Sequence, residues 1–186
     1  PDFKVLYIVS LDGSKEIHNK LRGPGVYEKM KKNIKDSPND LIFATCTLNT
    51  MNHNHIDKIV KSAIELGVLG IVFNWYTPFS NNDSLWVNYP ERNEDINVIL
   101  KLKERYPVFI RNLKEELEMM RNSKWTKRCP KWCTISIDAF GKKKEPCVLG
   151  SQAICEKCGC HVFPSVLVTV ENFRKGMLFK GVETYW

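Results

Sequence analysis

No apolar run in this 186-residue chain approaches the roughly 18 residues of a transmembrane helix, so no membrane span is expected. No cationic stretch leads into an apolar core, so no secretory signal is visible and a cytoplasmic setting is expected. The chain opens at Pro1 without a methionine, so an upstream segment is expected to be missing. No Gly-x-Gly-x-x-Gly or phosphate loop follows any strand-like run, which leaves an ordinary dinucleotide- or phosphate-binding domain without support. Long repeats and low-complexity tracts are absent. Histidines number only four; His18, His53 and His55 fall in loop-like stretches and read as solvated or capping. The net charge is +7, but its lysines are scattered over helix faces. The one compact run, Lys142, Lys143 and Lys144, reads as a turn, so nucleic acid is not the expected partner.

Cysteine is what the chain has in excess. Six of its seven cysteines fall in the pattern Cys129-x3-Cys133-x13-Cys147-x7-Cys155-x2-Cys158-x-Cys160. Disulfides belong to oxidising compartments and to small chains with poor cores. This chain carries no visible export signal and is 43% hydrophobic, so a metal is the favoured reading. A Cys-x2-Cys pair presents two thiolates from one turn, and more distant cysteines complete a four-thiolate site. Zinc and iron–sulfur clusters both take such a set, and spacing alone does not choose between them. The seventh, Cys46, lies inside an apolar run and reads as a small core residue.

The first hundred residues alternate in period. Val5 to Val9 is a continuous apolar run, the mark of a strand covered on both faces. Val26, Met30 and Ile34 trace one stripe of a helix that Pro38 helps to stop. Leu41 to about Leu48 is a second strand. Asn52 or Asn54 is placed to cap a helix carrying Ile56, Ile59, Val60, Ala63 and Ile64 on one face. Gly67 suits its left-handed end, and Ile71 to Phe73 begins a third strand. This β-α-β-α-β order predicts parallel strands with crossover helices, which fits both doubly wound sheets and (β/α) barrels. Residues 76–90 read as a long aromatic loop. Helices are expected over about 94–105 and 112–121. Composition shifts at Trp125, so the chain divides into an α/β unit over 1–120 and a cysteine-rich, irregular or β extension over 121–186.

In α/β folds, ligands meet the loops at the carboxyl ends of strands. Those loops hold Ser10, Asp12 and Gly13, then Thr47, Asn49 and Thr50, then Asn74, Trp75 and Tyr76. Asp-Gly is also a common turn pair, and Asn also caps helices. The aromatic residues Trp75, Tyr76, Phe79, Trp86 and Tyr89 suit packing over the open side of the sheet or the wall of an apolar substrate site.

Several stretches together resemble the radical S-adenosylmethionine (radical SAM) superfamily. Val9-Ser10-Leu11-Asp12-Gly13, then His18-Asn19-Lys20-Leu21-Arg22-Gly23, resembles that family's fourth strand and the loop after it. There a Ser-x-Asp-Gly turn precedes His-Asp-x-x-Arg-Gly; Asn19 stands in place of the usual Asp. Ala44 to Asn49 resembles the fifth strand, and Gly67 to Asn74 the sixth. Cys133-Thr134, Phe140-Gly141, Pro146-Cys147 and Cys155-x2-Cys158 resemble the C-terminal region of adenosylhopane-synthase-type members. Gly159-Cys160-His161 is more compact than the usual spacing there.

The resemblance implies the second half of a partial TIM-like (β/α) barrel followed by an auxiliary-cluster region. Ser10 and Arg22 would hold the carboxylate of S-adenosylmethionine, since a guanidinium grips a carboxylate through paired hydrogen bonds. Asp12 belongs to the same turn. Asn49 would face the ribose or amino-acid end, and backbone at Phe73 and Asn74 the adenine. An auxiliary 4Fe–4S cluster would sit on Cys133, Cys147, Cys155 and Cys158, with Cys129, Cys160 and His161 as alternates. The family's Cys-x3-Cys-x2-Cys and Gly-Gly-Glu are absent here, so the segment alone should not cleave S-adenosylmethionine. Expected partners are the missing N-terminal half, an electron donor such as ferredoxin or flavodoxin, and a small-molecule, lipid or peptide substrate. Adenosylation, peptide modification, methylation and carbon-skeleton chemistry all remain open. A zinc-binding interaction module, with its lysines toward nucleic acid, is the alternative. An isolated half barrel is also expected to self-associate through its exposed strand edge.

Overall fold

A computed structural model describes residues 5–38 and 41–174. The end of the expected cysteine-rich region, 175–186, lies outside these residues. Three parallel strands, β1 (Tyr7–Ser10), β2 (Ile42–Leu48) and β3 (Ile71–Trp75), form a sheet in chain order. Between them run α1 (Lys15–Arg22), α2 (Val26–Asp36) and α3 (Ile56–Glu65). After β3 come α4 (Tyr89–Arg105), α5 (Lys114–Met119) and α6 (Val162–Arg174), the last following a series of short 3-10 turns through the cysteines.

Strand alternation decides which face each helix covers. In β2, Ile42, Ala44, Cys46 and Leu48 are buried, while Phe43, Thr45 and Thr47 are half-buried. The buried set joins Ile71, Phe73 and Trp75 of β3 in one core. Ile59 and Val60 of α3, Ile96 and Ile99 of α4 and Leu117 of α5 belong to that core, and Met30 and Ile34 of α2 pack against it. Cys46 is fully buried here, and burial pushes its thiol well above its ordinary pKa. The other face meets α6. Ile8, Phe43 and Val72 border a cavity of about 590 Å³ whose far wall includes Val162, Val166 and Val170.

The outer edge of β3 is closed piece by piece. Ile71 donates to the carbonyl of Phe109 at 2.8 Å, and Arg111 donates to the carbonyl of Ile71 at 2.9 Å. One step along, Asn112 replaces a strand with its side chain: Oδ1 accepts from the Phe73 amide at 2.7 Å and Nδ2 donates to the Phe73 carbonyl at 2.9 Å. At the end, Trp75 donates to the carbonyl of Gly159 at 2.9 Å. The cysteine-rich segment is thereby fixed to the carboxyl end of the sheet.

Several elements differ from the sequence expectation. Val5, Leu6, Tyr7 and Ile8 are exposed rather than covered on both faces, since β1 pairs with β2 alone among the described residues. The stretch after β1 holds a helix, α1. Neither Asn52 nor Asn54 caps α3; its N-cap is His55, without a side-chain bond. Helix α4 starts five residues early because Asn88 accepts from the Glu91 amide and Pro90 suits the first turn. Helix α5 is shorter than 112–121 because Asn112 is committed to β3. The extension is not merely irregular: its described part includes the 13-residue α6. Gly67 ends α3 with a positive φ of 75°, as expected.

Candidate functional site

Parallel strands place Ser10, Leu48 and Trp75 at one end of the sheet. Asp12 organises that end. Its buried carboxylate accepts from Arg22 Nε through Oδ2 and from the Thr47 amide at 3.1 Å through Oδ1. It thus ties the loop after β1 to the end of β2 while holding the Arg22 guanidinium. The Asp12 carbonyl accepts from Asn52 Nδ2 at 2.9 Å. Its amide donates to His18 Nδ1 at 3.2 Å, so the imidazole accepts at that nitrogen. His18 is buried edge-on to Tyr27, and burial lowers its pKa. The expectation of a solvated or capping His18 is corrected: it packs beneath the Asp12 turn.

Ser10 and Arg22 line one groove of about 450 Å³ along the open edge of β1. Asn49 is not among the residues lining that groove. It is buried and builds its own loop, with Nδ2 donating to the Thr47 carbonyl at 3.3 Å and Oδ1 accepting from the Met51 amide at 2.9 Å. Asn74 is half-buried; Nδ2 donates to the Cys46 carbonyl at 2.9 Å and to Thr45 Oγ1 at 3.3 Å. Phe73 is wholly buried, with both backbone groups taken by Asn112.

The cysteine-rich segment forms a second apolar cluster around Trp125, Cys147, Cys158 and Phe163. Within it, Cys129, Cys147, Cys155 and Cys158 line one small cavity with Thr77 and Trp125. Cys133 and Cys160 pack against the same cluster without lining that cavity. Burial pushes the Cys129 thiol up to about 12 and the Cys160 thiol up to about 11, with the neighbouring cysteines adding to both. The Cys158 thiol is raised as well, first by burial, against opposing hydrogen bonds from the Cys160 backbone and Thr77. Thr77 is well placed for that bond: its hydroxyl accepts from the Gly159 amide at 2.9 Å, which leaves its proton for Cys158 Sγ at 3.8 Å. The Trp125 indole N–H is buried without a partner.

Beneath the Cys155–Cys158 knuckle lies a buried guanidinium. Arg92 is 0% exposed. Its Nη1 donates to the Cys158 carbonyl at 3.0 Å, while Nε and Nη2 have no partner. The group lies over the rings of Tyr89, at 4.9 Å, and Trp75, at 5.5 Å. Tyr89 Oη donates to the Glu156 carbonyl at 2.5 Å. Trp75 and Tyr89 therefore pack and support the knuckle, whereas Phe79 is exposed. Trp75 Nε1 donates to Asp95 Oδ2 at 2.9 Å, and His53 Nδ1 lies 3.2 Å from Asp95 Oδ1. The reading of His53 as solvated or capping is corrected: it is a buried partner of Asp95.

A third polar group faces the larger cavity. His161 and Ser165 line it, and the buried Glu116 carboxyl accepts from Ser165 Oγ and from Asn112 Nδ2 at 2.6 Å. His161 Nδ1 stands 4.0 Å from Glu116 Oε1 and has no hydrogen bond. Burial raises the Glu116 pKa to about 7 and lowers that of His161 to about 4. His161 lines this cavity and not the one formed by the cysteines. Sequence reading missed Glu116, Arg92 and Thr77, whose burial has no local signature in a charged helix or an aromatic loop.

Among the described residues no group of three or more His, Cys, Asp or Glu side chains is arranged to hold a single metal ion. No helix among them is long and apolar enough to cross a membrane. No family model, curated protein or solved structure matches the chain.

Proposed function

We propose that this chain is the C-terminal half of a radical SAM iron–sulfur enzyme, contributing part of a (β/α) barrel, part of the S-adenosylmethionine pocket and an auxiliary 4Fe–4S site. The observation that carries the reading is the Trp75–Gly159 junction. It brings four cysteines to the same end of a parallel sheet as Ser10, Asp12 and Arg22. Strands in chain order, with α2 to α5 on one face, suit the winding of a barrel. The exposed run Val5 to Ile8 suits a further strand beside β1.

Cysteine thiols are the donors an auxiliary cluster takes, but the four that share the cavity leave no room for such a centre as they stand. Four thiolates on one tetrahedral zinc lie about 3.8 Å apart, from a Zn–S bond near 2.3 Å. A cuboid of four irons and four sulfides holds its thiolates further apart. The cavity is small, so seating such a centre requires the cysteine loops to open outward. The orphaned Trp125 N–H and the Thr77 hydroxyl supply hydrogen-bond donors to sulfur. Cys129, Cys147, Cys155 and Cys158 are the proposed ligands, so Cys129, an alternate in the set the resemblance implies, takes the place of Cys133.

In the whole enzyme, a catalytic cluster on the N-terminal half would supply the electron for reductive cleavage of S-adenosylmethionine. This segment's residues bind and orient. Arg22, held by Asp12, and Ser10 face the groove in which the methionyl carboxylate would lie. Asn49 shapes the loop beside it rather than offering a free amide.

Amide NMR of the isotope-labelled chain, titrated with S-adenosylmethionine, tests the assignment. Shifts confined to Ser10–Gly13, Arg22 and Thr47–Asn49 are expected, and Arg22→Met abolishes them. Absence of shifts at millimolar ligand, or shifts confined elsewhere, overturns it.

A further inference from the structure

Between Cys133 and Cys147 the chain folds into a short antiparallel hairpin. The Asp138 amide donates to the Lys142 carbonyl at 2.8 Å and the Lys144 amide to the Ser136 carbonyl at 2.7 Å, with Ile137 paired to Lys143. Asp138 also builds the tip: its Oδ1 accepts from the Phe140 and Lys142 amides, both at 2.9 Å. Gly141 turns the chain there with a φ of 80°. Cys133 and Cys147 root the two ends in the Trp125 cluster.

This hairpin and the residues leading into it hold large apolar side chains in water. Phe140 is 89% exposed, Trp132 79%, Ile135 78% and Ile137 64%. So dense a set of uncovered apolar groups marks a surface that something else covers. The surrounding charge narrows the choice. From Lys124 to Glu145 stand seven basic and two acidic side chains, a net +5 of the chain's +7. Both acids are occupied, Asp138 by the turn and Glu145 by Lys143. Lys124, Lys127 and Lys142 are exposed and form no ion pair with another described residue. Protein interfaces favour aromatic groups with arginine and are depleted in lysine. Nucleic acid takes phosphate contacts and stacking rings but has no use for exposed isoleucines. A bilayer surface takes this whole set: rings settle at the headgroup level, apolar tips enter the acyl boundary and ammonium groups meet anionic headgroups.

We propose that the Cys133–Cys147 hairpin, with Trp132 and the lysines around it, docks the protein peripherally on anionic phospholipid bilayers. Phe140 and Trp132 enter the interface, and the lysines lie against the headgroup phosphates. A weak apolar anchor and a polybasic patch hold a protein at a bilayer together where neither suffices alone. Docking of this kind needs no membrane-spanning helix, and it does not depend on which metal the cysteines hold.

The test is co-sedimentation of the full chain with phosphatidylcholine vesicles, with and without phosphatidylglycerol. Binding to the anionic vesicles should be stronger by more than about tenfold and should weaken with salt. Phe140→Ser combined with Trp132→Ser should lower it by about tenfold or more, and Lys142→Ser, Lys143→Ser and Lys144→Ser together by as much. Brominated acyl chains should quench the Trp132 fluorescence; Trp132→Phe should keep the binding and lose that quenching. Undiminished binding of the Phe140→Ser, Trp132→Ser protein overturns the proposal, as does a wild type that stays in the supernatant. Binding to a single-stranded RNA oligonucleotide, or self-association, that the same substitutions abolish and vesicles do not share reassigns the surface and overturns it as well. Where a variant fails to fold, the wild type decides: quenching by brominated lipid supports the proposal, and its absence overturns it.

Discussion

The carbonyl of Gly159 accepts the amide of Trp75 at 2.9 Å, so a residue from the cysteine knuckle continues the hydrogen-bonded edge of β3. The backbones approach so closely that a Cβ on Gly159 would lie 2.0 Å from the Trp75 carbonyl oxygen. Only glycine fits, for reasons of space.

Gly159→Ala therefore forces the knuckle off the sheet. A loss of about 3 kcal/mol is expected, at the upper end for an overpacked site. Urea unfolding measures it, and the bound iron should fall in parallel. A variant with wild-type stability and iron content would show that the knuckle docks elsewhere.

Asn112 stands in for a strand at Phe73 and also donates to Glu116. Asn112→Ala leaves a buried amide, a buried carbonyl and a carboxyl each short of a partner. Unsatisfied buried groups cost about 1–3 kcal/mol each, and partial rearrangement reduces the sum. About 3 kcal/mol of destabilisation is expected by denaturant titration, with the Phe73 amide losing hydrogen-exchange protection.

Glu116 and His161 oppose each other in pH. Burial raises Glu116 from 4.5 to about 7, so its contribution is full below pH 4.5 and is lost as pH rises through 7. Burial lowers His161 from 6.5 to about 4, so its contribution is full above pH 6.5 and is lost as pH falls through 4. Each shift corresponds to about 3 kcal/mol. Lys103 from α4, Asn112 just before α5, and Ser165 with His161 on the α6 side face the carboxyl. Wild-type stability should be nearly flat between pH 4.5 and 6.5. Glu116→Gln removes one side of the balance, so stability should rise with pH across that window, as followed by urea midpoints. A flat profile in the variant would contradict the burial of His161 as a neutral ring.

The cysteines separate by position. Cys129→Ser is expected to lose most of the iron, because Cys129 lines the shared cavity, whereas Cys133→Ser keeps it. With thiols as high as about 12 at Cys129, metal uptake near neutral pH must also release protons, about one per ligand. Pairing iron analysis with a pH indicator reads both effects. Iron lost in Cys133→Ser and kept in Cys129→Ser would return the ligand set to the one the resemblance implies.

Much of the α/β unit was legible. The runs at Leu41–Leu48 and Ile71–Phe73 overlap β2 and β3, and the stripes through Met30 and Ile59 are helices, because short-range periodicity records which face is buried; the run at Val5–Val9 overlaps β1 in position only. The crowding of cysteines was visible as well. What sequence could not show is pairing over long separations. Asn112 reads as a helix start yet serves β3, 39 residues away. Nothing local marks Arg92 or Glu116 for burial; segments more than 45 residues further on bury them. Helix α6 escaped notice because Val166, Leu167, Val168 and Val170 are apolar on every side, with β-branched residues that resemble a strand. Cys129 and Cys133 could be ranked only by folding the chain around them.

An iron–sulfur centre is proposed on the knuckle that Gly159 docks to the sheet. Iron, acid-labile sulfide and zinc measured per chain after anaerobic reconstitution decide it. A brown protein with about four irons and four sulfides is expected. A colourless protein holding one tightly bound zinc, with no sulfide, would contradict it.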